Sequence, residues 1–264
     1  MIVIRFFKAL FGIYAFLIFI TTLLLVTPIY IFIFLAYSET KSPHIAHRVI
    51  SRSWARVLTW VFFTPAKIIN TELIDPKKTY VFVASHRSQL DIPLYALSNK
   101  NTIRFLAKAE LTKIPLLGFI IKKLYLSVNR ADRADRNRSF EIMRNSLNQE
   151  ISVFLCPEGT RNRHEDPPLL DFRDGAFRLA ILTKTPIAAL TVLNTGEKLS
   201  PNRAIELAPG TLYAIWDEPI ETSHMTLEDL PALKEKVREQ MISHLMKWKA
   251  SRHSANGKYL EENI

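Results

Sequence analysis

The sequence predicts an α/β domain in which helices flank a mixed, largely buried sheet, and an apolar helical segment precedes this domain. Two observations predict the arrangement. Residues 9–38 carry no charge. Beyond residue 64, short apolar runs typical of strands alternate with helical stretches, as in α/β domains. A chain of 264 residues, of which 48% are hydrophobic, can bury one large core and carry such an appendage.

The N-terminal segment Ala9–Ser38 is predicted to associate with a membrane. Its thirty uncharged residues exceed the roughly 20 that a spanning helix needs. Pro28 can kink such a helix or break it into a re-entrant hairpin. A cleaved signal peptide is the alternative, but its apolar region is usually only about 7–15 residues long. Residues 1–43 are therefore predicted to form a membrane anchor, either a spanning helix or a re-entrant hairpin.

Residues 44–264 are predicted to form the large folded domain, and its first part has a basic amphipathic pattern. Residues 44–63 alternate apolar positions with arginines and include two tryptophans, which predicts either an interfacial helix or a helix packed on the core. More basic residues follow the apolar segment (Lys41, Arg48, Arg52 and Arg56) than precede it (Arg5 and Lys8). If the segment spans the membrane, the positive-inside rule places the large domain on the cytoplasmic side. If it is a re-entrant hairpin, both of its flanks are cytoplasmic.

The remaining elements follow from apolar runs and helical periodicity. Strands are predicted at Thr79–Ser85, Ile103–Lys108, Leu124–Asn129, Ile151–Cys156, Pro186–Leu193, Ala204–Leu207 and Leu212–Trp216. Helices are predicted at Ile92–Ser98, Arg136–Glu150 and Gly175–Thr183, and a long basic helix at Leu227–Arg252.

Composition excludes several classes of site and favours an anionic partner. The formal net charge of +10 favours an anionic membrane surface, a phosphorylated substrate or nucleic acid. No basic patch is interleaved with aromatic residues, so nucleic acid is not an expected partner. The single cysteine, Cys156, excludes an intrachain disulfide and a cysteine-rich zinc site. The sequence also contains neither a G-x-G-x-x-G fingerprint nor a P-loop.

Two H-x-x-x-x-D patterns occur, and only the first lies where catalytic groups collect. His86 and Asp91 follow a strongly apolar predicted strand, and function gathers where the strands of an α/β sheet end. His224 and Asp229 follow a polar turn, and Thr226-x-x-Asp229 is typical of a helix cap. The second pair is therefore predicted to be structural.

The spacing of His86 and Asp91 also fits the start of a helix. Residues five apart on one helix point about 140° apart, so contact requires His86 to precede the helix and Asp91 to lie in its first turn. Ser88 as N-cap with Asp91 at N3 provides that arrangement. A histidine placed in this way takes a proton from an alcohol while the aspartate orients its ring.

A second polar turn follows the predicted strand Ile151–Cys156. The segment P-E-G-T-R brings Glu158, a flexible glycine and Arg161 together, which suits a phosphate ester. By itself it is also compatible with a turn that carries a surface ion pair. Cys156 is predicted to be a buried thiol rather than a nucleophile.

Four blocks in order resemble the glycerolipid acyltransferases typified by lysophosphatidic acid acyltransferase. The blocks are S-H-R-S-Q-L-D at 85–91, L-Y-L-S-V-N-R at 124–130, P-E-G-T-R at 157–161 and T-P-I-A-A-L at 185–190. A further segment, F-R-D-G-A-F-R-L-A at 172–180, is similar to the family's F-K-x-G segment. Departures are Ser85 for the usual Asn, a second block without its glycine, and Ala189 for a proline.

The resemblance implies a single acyltransferase domain and a role for each block. His86 would be the general base and Asp91 would orient it. The acceptor site would comprise Arg130, Glu158, Gly159, Thr160 and Arg161, with both arginines on the phosphate and Glu158 bonding a glycerol hydroxyl or aligning an arginine. Pro186 and its strand would shape the acyl-donor side. The resemblance implies neither a metal nor a cofactor.

The implied partners are a lysophospholipid acceptor, acyl-CoA or acyl carrier protein as the donor, and the membrane surface. The implied reaction acylates 1-acyl-glycerol-3-phosphate to phosphatidic acid. The alternatives are another lysophospholipid, a lyso-aminolipid or glycerol-3-phosphate as acceptor, and an inactive lipid-binding protein of the same fold. The sequence does not determine the acyl-chain length, the donor or the oligomeric state.

Overall fold

A computed structural model of the chain describes residues 2–129, 131–203 and 205–253. Within these residues, seven strands form one sheet in the order β1-β7-β6-β2-β5-β3-β4. The strands are β1 Ala66–Ile69, β2 Val81–Ala84, β3 Ile103–Lys108, β4 Leu126–Val128, β5 Ser152–Leu155, β6 Ile187–Val192 and β7 Leu212–Trp216.

Helices cover both faces of this sheet, as the alternating pattern predicts. The helices are α1 Ile2–Ala36, α2 Ser42–Ile45, α3 Arg52–Val61, α4 Asp91–Ser98, α5 Leu117–Leu124, α6 Arg133–Asn148, α7 Gly175–Thr183, α8 Thr195–Lys198 and α9 Leu230–His253. A π-helical turn, Ala46–Ser51, joins α2 to α3.

The sheet is mixed, and its strand directions bring five carboxyl ends to one edge. β2 runs parallel to β5 and β6, and β3 runs parallel to β4 and β5. β7 is antiparallel to β6, and β1 is parallel to β7. The carboxyl ends of β2 to β6 therefore share one edge, where ligands of open α/β sheets bind. We call it the catalytic edge.

Both faces of the sheet are buried, so alternate residues of one strand enter two cores. Phe82 and Phe154 pack with Trp216 in a core on one face. Val81 and Val153 pack in a core on the opposite face, which includes residues of α7 and α9. Burial on both faces explains why these strands appear in the sequence as continuous apolar runs.

Several element predictions differ from the structure. The edge strand β1 and the helix α5 were not predicted, and α5 confines the predicted strand Leu124–Asn129 to Leu126–Val128. β1 escaped prediction because it is a short edge strand with only one buried residue, whereas β2, of equal length, is buried throughout. The predicted strand Ala204–Leu207 is wrong as a ladder. Its only pairing among the described residues is the isolated bridge Leu199–Leu207, and Ala204 lies outside them.

Ile205 of this segment approaches α1, whereas Leu207 is buried in the core beside the sheet. A side chain at Gly12 would place its Cβ only 1.6 Å from the Ile205 carbonyl oxygen, so the close approach requires glycine. Nearby, Arg5 donates two hydrogen bonds to Glu206 at 3.1 and 2.9 Å.

Helix α1 is continuous through Pro28 and packs along the domain. It is one helix that is long and apolar enough to cross a membrane. Tyr30 bonds Ser51 at 2.7 Å, and the Trp54 indole donates to Thr22 at 3.0 Å. The chain does not reverse direction within Ile2–Ala36 in this structure. The opposite face of α1 is exposed and apolar, with Phe6, Leu10, Phe16, Leu17, Leu24, Leu25, Phe32 and Leu35 among its residues.

Candidate active site

Polar side chains gather at the catalytic edge because each follows the carboxyl end of a strand. His86 follows β2, Glu158 follows β5 and Thr195 follows β6. Lys108 ends β3 and pairs with Glu110 at 3.0 Å on the surface. Arg130, which is predicted to hold phosphate, follows β4 but lies outside the described residues.

The structure brings His86 and Asp91 into contact. His86 Nδ1 lies 2.8 Å from Asp91 Oδ2. The Asp91 side chain is fully buried, whereas the His86 side chain is 18% exposed. A carboxylate only accepts hydrogen bonds, so this contact assigns the proton of neutral His86 to Nδ1 and leaves Nε2 basic. The arrangement is that of a general base backed by an orienting carboxylate.

The Asp91 carboxylate also organises the turn before α4. Its Oδ2 accepts from the backbone N–H groups of Arg87 at 2.7 Å and Ser88 at 2.8 Å. The prediction that Ser88 is the N-cap is wrong, because α4 begins at Asp91 and its N-cap is Leu90. Ser88 Oγ accepts from the Leu90 N–H at 3.2 Å and donates to the Leu199 carbonyl at 2.8 Å. The N–H groups of Arg87 and Ser88 bind the Asp91 carboxylate from a turn that is not helical. The helix therefore starts at Asp91 and not directly after Ser88.

The second H-x-x-x-x-D pattern has the structural role that was predicted. His224 is exposed. Asp229 forms a capping box with Thr226, whose N–H donates to Asp229 Oδ2 at 2.7 Å. This backbone hydrogen bond is the main reason that the pKa of Asp229 lies below its usual range. Equal spacing in the sequence thus gives a dyad at one site and a helix cap at the other.

Glu158 connects His86 to the loop after β5. Its side chain is buried, with 3% exposed, and Oε1 accepts from the His86 N–H at 2.9 Å. Oε2 accepts from the Leu170 N–H at 2.8 Å. Burial raises the pKa of Glu158, and these backbone bonds partly oppose the increase. Both hydrogen bonds go to the main chain, so Glu158 positions the backbone of His86, a role that the sequence did not predict.

The P-E-G-T-R turn is bound to His86 from both sides. Glu158 accepts from the His86 N–H, and the Asn162 N–H donates to the His86 carbonyl at 2.8 Å. Gly159 has φ +72°, and a Cβ there would lie 2.5 Å from Arg173 Nε. The side chains of Thr160 and Arg161 lie between these anchors, the first exposed and the second half-buried. The turn thus brings Arg161 to the edge that carries the dyad.

Pro186 lies away from this group. It precedes the amino end of β6, and its carbonyl accepts from the Val81 N–H at 3.0 Å. Since β6 runs parallel to β2, Pro186 lies at the edge opposite His86, about 20 Å away along the strand. The carboxyl end of β6, rather than Pro186 itself, reaches the catalytic edge.

Other contacts at this edge were not predicted. Ser85, in place of the usual Asn, accepts from the Val192 N–H at 2.9 Å through Oγ and so joins the ends of β2 and β6. The Tyr95 hydroxyl donates to the Ser85 carbonyl and lies 3.7 Å from Cys156 Sγ. Burial raises the pKa of Tyr95 well above its usual value, so it stays a neutral donor. Cys156 is half-buried beside this tyrosine.

Within the described part of the chain, no three His, Cys, Asp or Glu side chains have the grouping of a metal site. The site combines the His86 imidazole, the Asp91 carboxylate that orients it and a turn that carries Arg161.

Comparison with known proteins identifies the region that carries this arrangement. Residues 66–193 match the family model described as Acyltransferase, a region that contains the dyad and the P-E-G-T-R turn. Residues 66–193 therefore belong to the acyltransferase family. The fold is α/β, as the sequence predicts.

Relatives of this acyltransferase include proteins named 1-acyl-sn-glycerol-3-phosphate acyltransferase. One from Saccharomyces cerevisiae is 28% identical over 206 residues, which cover 76% of this chain and 67% of the relative. The alpha protein of that name from Mus musculus is 28% identical over 171 residues, which cover 64% of this chain and 59% of the relative. The acyltransferase chain thus spans about half to two thirds of the length of the curated relatives it matches.

A solved structure shares the fold. The crystal structure of the 1-acyl-sn-glycerophosphate (LPA) acyltransferase PlsC from Thermotoga maritima matches with a TM-score of 0.78. The match covers 94% of this chain and 98% of that chain at 23% identity. It therefore includes most of α1 as well as the sheet.

Proposed function

We propose that this acyltransferase transfers a fatty acyl group from an acyl thioester to the free hydroxyl of 1-acyl-glycerol-3-phosphate, giving phosphatidic acid. The observation that carries the proposal is the clamping of the Arg161-bearing turn onto His86, which is itself paired with Asp91 at 2.8 Å. A phosphate held by Arg161 thereby places a nearby hydroxyl at the base. The names of the relatives support the same acceptor.

In the reaction, His86 takes one proton from the acceptor hydroxyl and later gives it to the leaving thiolate. His86 Nε2 removes the proton of the acceptor hydroxyl as its oxygen attacks the thioester carbonyl carbon. The carbon–sulfur bond then breaks, and the imidazolium returns the proton to the leaving thiolate. The buried Asp91 carboxylate stabilises the imidazolium between these steps.

We assign phosphate recognition to the arginine side chains Arg161 and Arg130. Arg161 is half-buried, so its guanidinium is partly shielded from solvent. Partial burial strengthens a charge-assisted hydrogen bond to phosphate. We assign Arg130 to the same phosphate and Gly159 and Thr160 to the turn that approaches it. The amphiphilic donor, acyl-CoA or acyl carrier protein, brings its thioester to the same edge.

We propose that α1 lies in the plane of the membrane instead of spanning it. Contacts with the domain run from Arg5, bonded to Glu206, to Phe34, which packs on Phe119. These residues are about 44 Å apart on a helix. A spanning helix would therefore draw the packed domain into the bilayer with it. An in-plane helix buries its exposed apolar face in one leaflet.

The residues after α1 extend this membrane surface. Trp60 is 75% exposed and Phe63 is 61% exposed, and both lie next to the apolar face of α1. Three arginines, Arg48, Arg52 and Arg56, belong to the same π-helical turn and α3. Each basic side chain near an anionic surface contributes about 1 kcal/mol. The excess of positive charge favours the anionic cytoplasmic leaflet, which supports a cytoplasmic location for the domain.

The acceptor and the donor are tested together with purified protein. Labelled acyl-CoA and acyl carrier protein are each offered with lysophospholipids of different headgroups and with glycerol-3-phosphate. We expect 1-acyl-glycerol-3-phosphate to have the highest kcat/KM because it alone pairs a phosphomonoester with an acyl glycerol hydroxyl. Faster acylation of a choline or ethanolamine lysolipid, or of glycerol-3-phosphate, would assign the site to that acceptor instead. A complete lack of acyl transfer would support the inactive lipid-binding protein.

A further inference from the structure

Thr195 completes the surroundings of the catalytic carboxylate. It follows β6, is 1% exposed, and its hydroxyl donates to Asp91 Oδ1. The other carboxylate oxygen, Oδ2, accepts from His86 Nδ1 and from two backbone N–H groups. Among the described residues, the Thr195 hydroxyl is the side-chain donor to Asp91 Oδ1. It lies just beyond the region that matches the family model, residues 66–193.

We propose that Thr195 is a positioning residue for acyl transfer, which holds the Asp91 carboxylate so that Oδ2 faces His86. The proposal rests on the assigned roles of His86 and Asp91. A carboxylate can rotate about its Cβ–Cγ bond, and a donor fixed on the second oxygen opposes that rotation. A buried oxygen without a partner would also be costly.

The loop around Thr195 is held on both sides, so its hydroxyl is fixed before substrate binds. Asn194 is buried, donates to the Thr211 carbonyl at 2.8 Å and accepts from the Tyr213 N–H at 2.9 Å. On the other side, the Leu199 carbonyl accepts from Ser88 Oγ at 2.8 Å. Such supporting contacts are what keep an orienting group in place.

The chain offers a matched control on the strand that leads to Thr195. Thr191 lies in β6 and is fully buried, but its hydroxyl has no hydrogen-bond partner among the described residues. Replacing either threonine by valine conserves shape and removes one hydroxyl. The two substitutions differ in whether a hydrogen bond to Asp91 is lost.

The test compares Thr195→Val, Thr195→Ser and Thr191→Val by steady-state kinetics with labelled acyl-CoA. We expect kcat to fall about ten- to a hundred-fold in Thr195→Val, the effect of losing one buried hydrogen bond to a charged group, with the acceptor KM changed less than about twofold. Thr195→Ser should stay within about threefold of wild type because it keeps the donor. Thr191→Val should match wild type. Equal effects of the two valine variants, or a serine variant as slow as valine, would overturn the proposal.

A double-mutant cycle separates positioning from a folding defect. In an Asp91→Ala background, Thr195→Val should cause no further loss of residual activity, since the group it positions is gone. A further loss equal to that in wild type would contradict the proposal. If Thr195→Val does not fold, Thr195→Ala replaces it in both comparisons.

The test also distinguishes this proposal from the proposed function. If wild type acylates a lysolipid other than 1-acyl-glycerol-3-phosphate, the acceptor assignment is wrong, and the Thr195 variants are compared on that lysolipid. A wild-type level of kcat in Thr195→Val on the true acceptor rejects the role of Thr195 alone.

Discussion

The catalytic histidine is held through its backbone as well as through its ring. Glu158 accepts from the His86 N–H, Asn162 donates to the His86 carbonyl, and Asp91 accepts from Nδ1. Three hydrogen bonds from two segments, the loop after β5 and the start of α4, thus fix one residue. Precise placement of a general base matters because proton transfer requires the heavy atoms within hydrogen-bond distance.

Glu158→Gln tests whether this residue positions His86 or contacts the acceptor. A glutamine offers one accepting oxygen where the carboxylate uses two, so one of the two backbone N–H groups loses its partner. We expect kcat to fall at least about tenfold, with the acceptor KM little changed. A raised KM with an unchanged kcat would instead mean that Glu158 binds the glycerol. Glu165→Gln, at an exposed position of the same loop, is the control and should resemble wild type.

Arg161→Ala tests the phosphate site. Removal of a charge-assisted hydrogen bond should raise the KM for a phosphate-bearing acceptor about tenfold or more, with a smaller effect on kcat. Arg163→Ala removes an exposed arginine of the same loop and should leave KM unchanged. If both variants keep the wild-type KM, the phosphate is held elsewhere.

Sequence patterns predicted those parts of the site whose residues are close together in the chain. His86 and Asp91 are five residues apart, and the P-E-G-T-R turn is contiguous, so each leaves a local pattern. Thr195 reaches Asp91 across 104 residues and sits in an ordinary T-G-E-K turn. Its contact depends on β6 lying next to β2, which no local pattern specifies. The contacts of Asn162 and Ser85 were not predicted for a similar reason, because each joins the end of β2 to a segment that is distant in the sequence.

Element boundaries show a similar limit. The helix at Ile92–Ser98 was predicted to within one residue because its apolar pattern is local. The N-cap of this helix was predicted wrongly. Asp91 accepts hydrogen bonds from the preceding turn and also from Thr195, a contact that no local pattern reveals. The predicted strand Ala204–Leu207 was wrong because an apolar residue need not be buried in a ladder: Ile205 is 57% exposed, and Leu207 forms only an isolated bridge.

The π-helical turn Ala46–Ser51 joins α1 to the sheet through a buried polar network. Ser51 Oγ contacts the hydroxyls of Tyr30 at 2.7 Å and Tyr125 at 3.2 Å. His47 is buried, and its Nδ1 lies 3.4 Å from the Tyr125 hydroxyl. Burial, and to a smaller extent the charge of Arg52, lowers the pKa of His47 to about 3. The folded protein therefore keeps this histidine neutral.

A lowered pKa at His47 predicts loss of stability in acid. Between pH 6.5, the ordinary value, and about 3, the unfolded chain binds a proton at His47 that the folded protein does not. The free energy of unfolding should therefore fall as pH falls through this window. His47→Asn should lower Tm at pH 8 yet give a flatter dependence below pH 6.5, whereas the exposed His224→Asn should keep the wild-type slope. Parallel profiles for His47→Asn and wild type would contradict this account.

The molecule as a whole combines a hydrophobic surface and a polar edge. Helix α1 and the exposed side chains of Trp60 and Phe63 form an apolar surface on one side of the sheet. The dyad and the P-E-G-T-R turn lie at the carboxyl ends of the strands. Under the proposed function, an acceptor that resides in a bilayer would meet the enzyme on the same surface.

Removing the two exposed aromatic side chains tests the membrane surface. Trp60→Ser combined with Phe63→Ser should weaken binding to anionic vesicles at least about tenfold, since each buried aromatic side chain contributes about 1.5–3 kcal/mol. Activity on a short-chain, water-soluble acceptor should stay close to wild type. Leu182→Ser removes an exposed leucine on α7, which covers the opposite face of the sheet, and should not change vesicle binding. If Leu182→Ser weakened vesicle binding as much as the double variant, Trp60 and Phe63 would not be part of a specific membrane surface.

The most direct test of the central claim is the rate of acyl transfer from labelled acyl-CoA to 1-acyl-glycerol-3-phosphate in His86→Ala and in His224→Ala. Because general-base catalysis contributes about 10²- to 10⁴-fold, His86→Ala should lose at least about a hundredfold in kcat while binding vesicles like wild type. His224→Ala should keep wild-type kcat. Near-wild-type turnover by His86→Ala, or an equally deep loss in His224→Ala, would contradict the assignment of His86 and Asp91 as the catalytic pair.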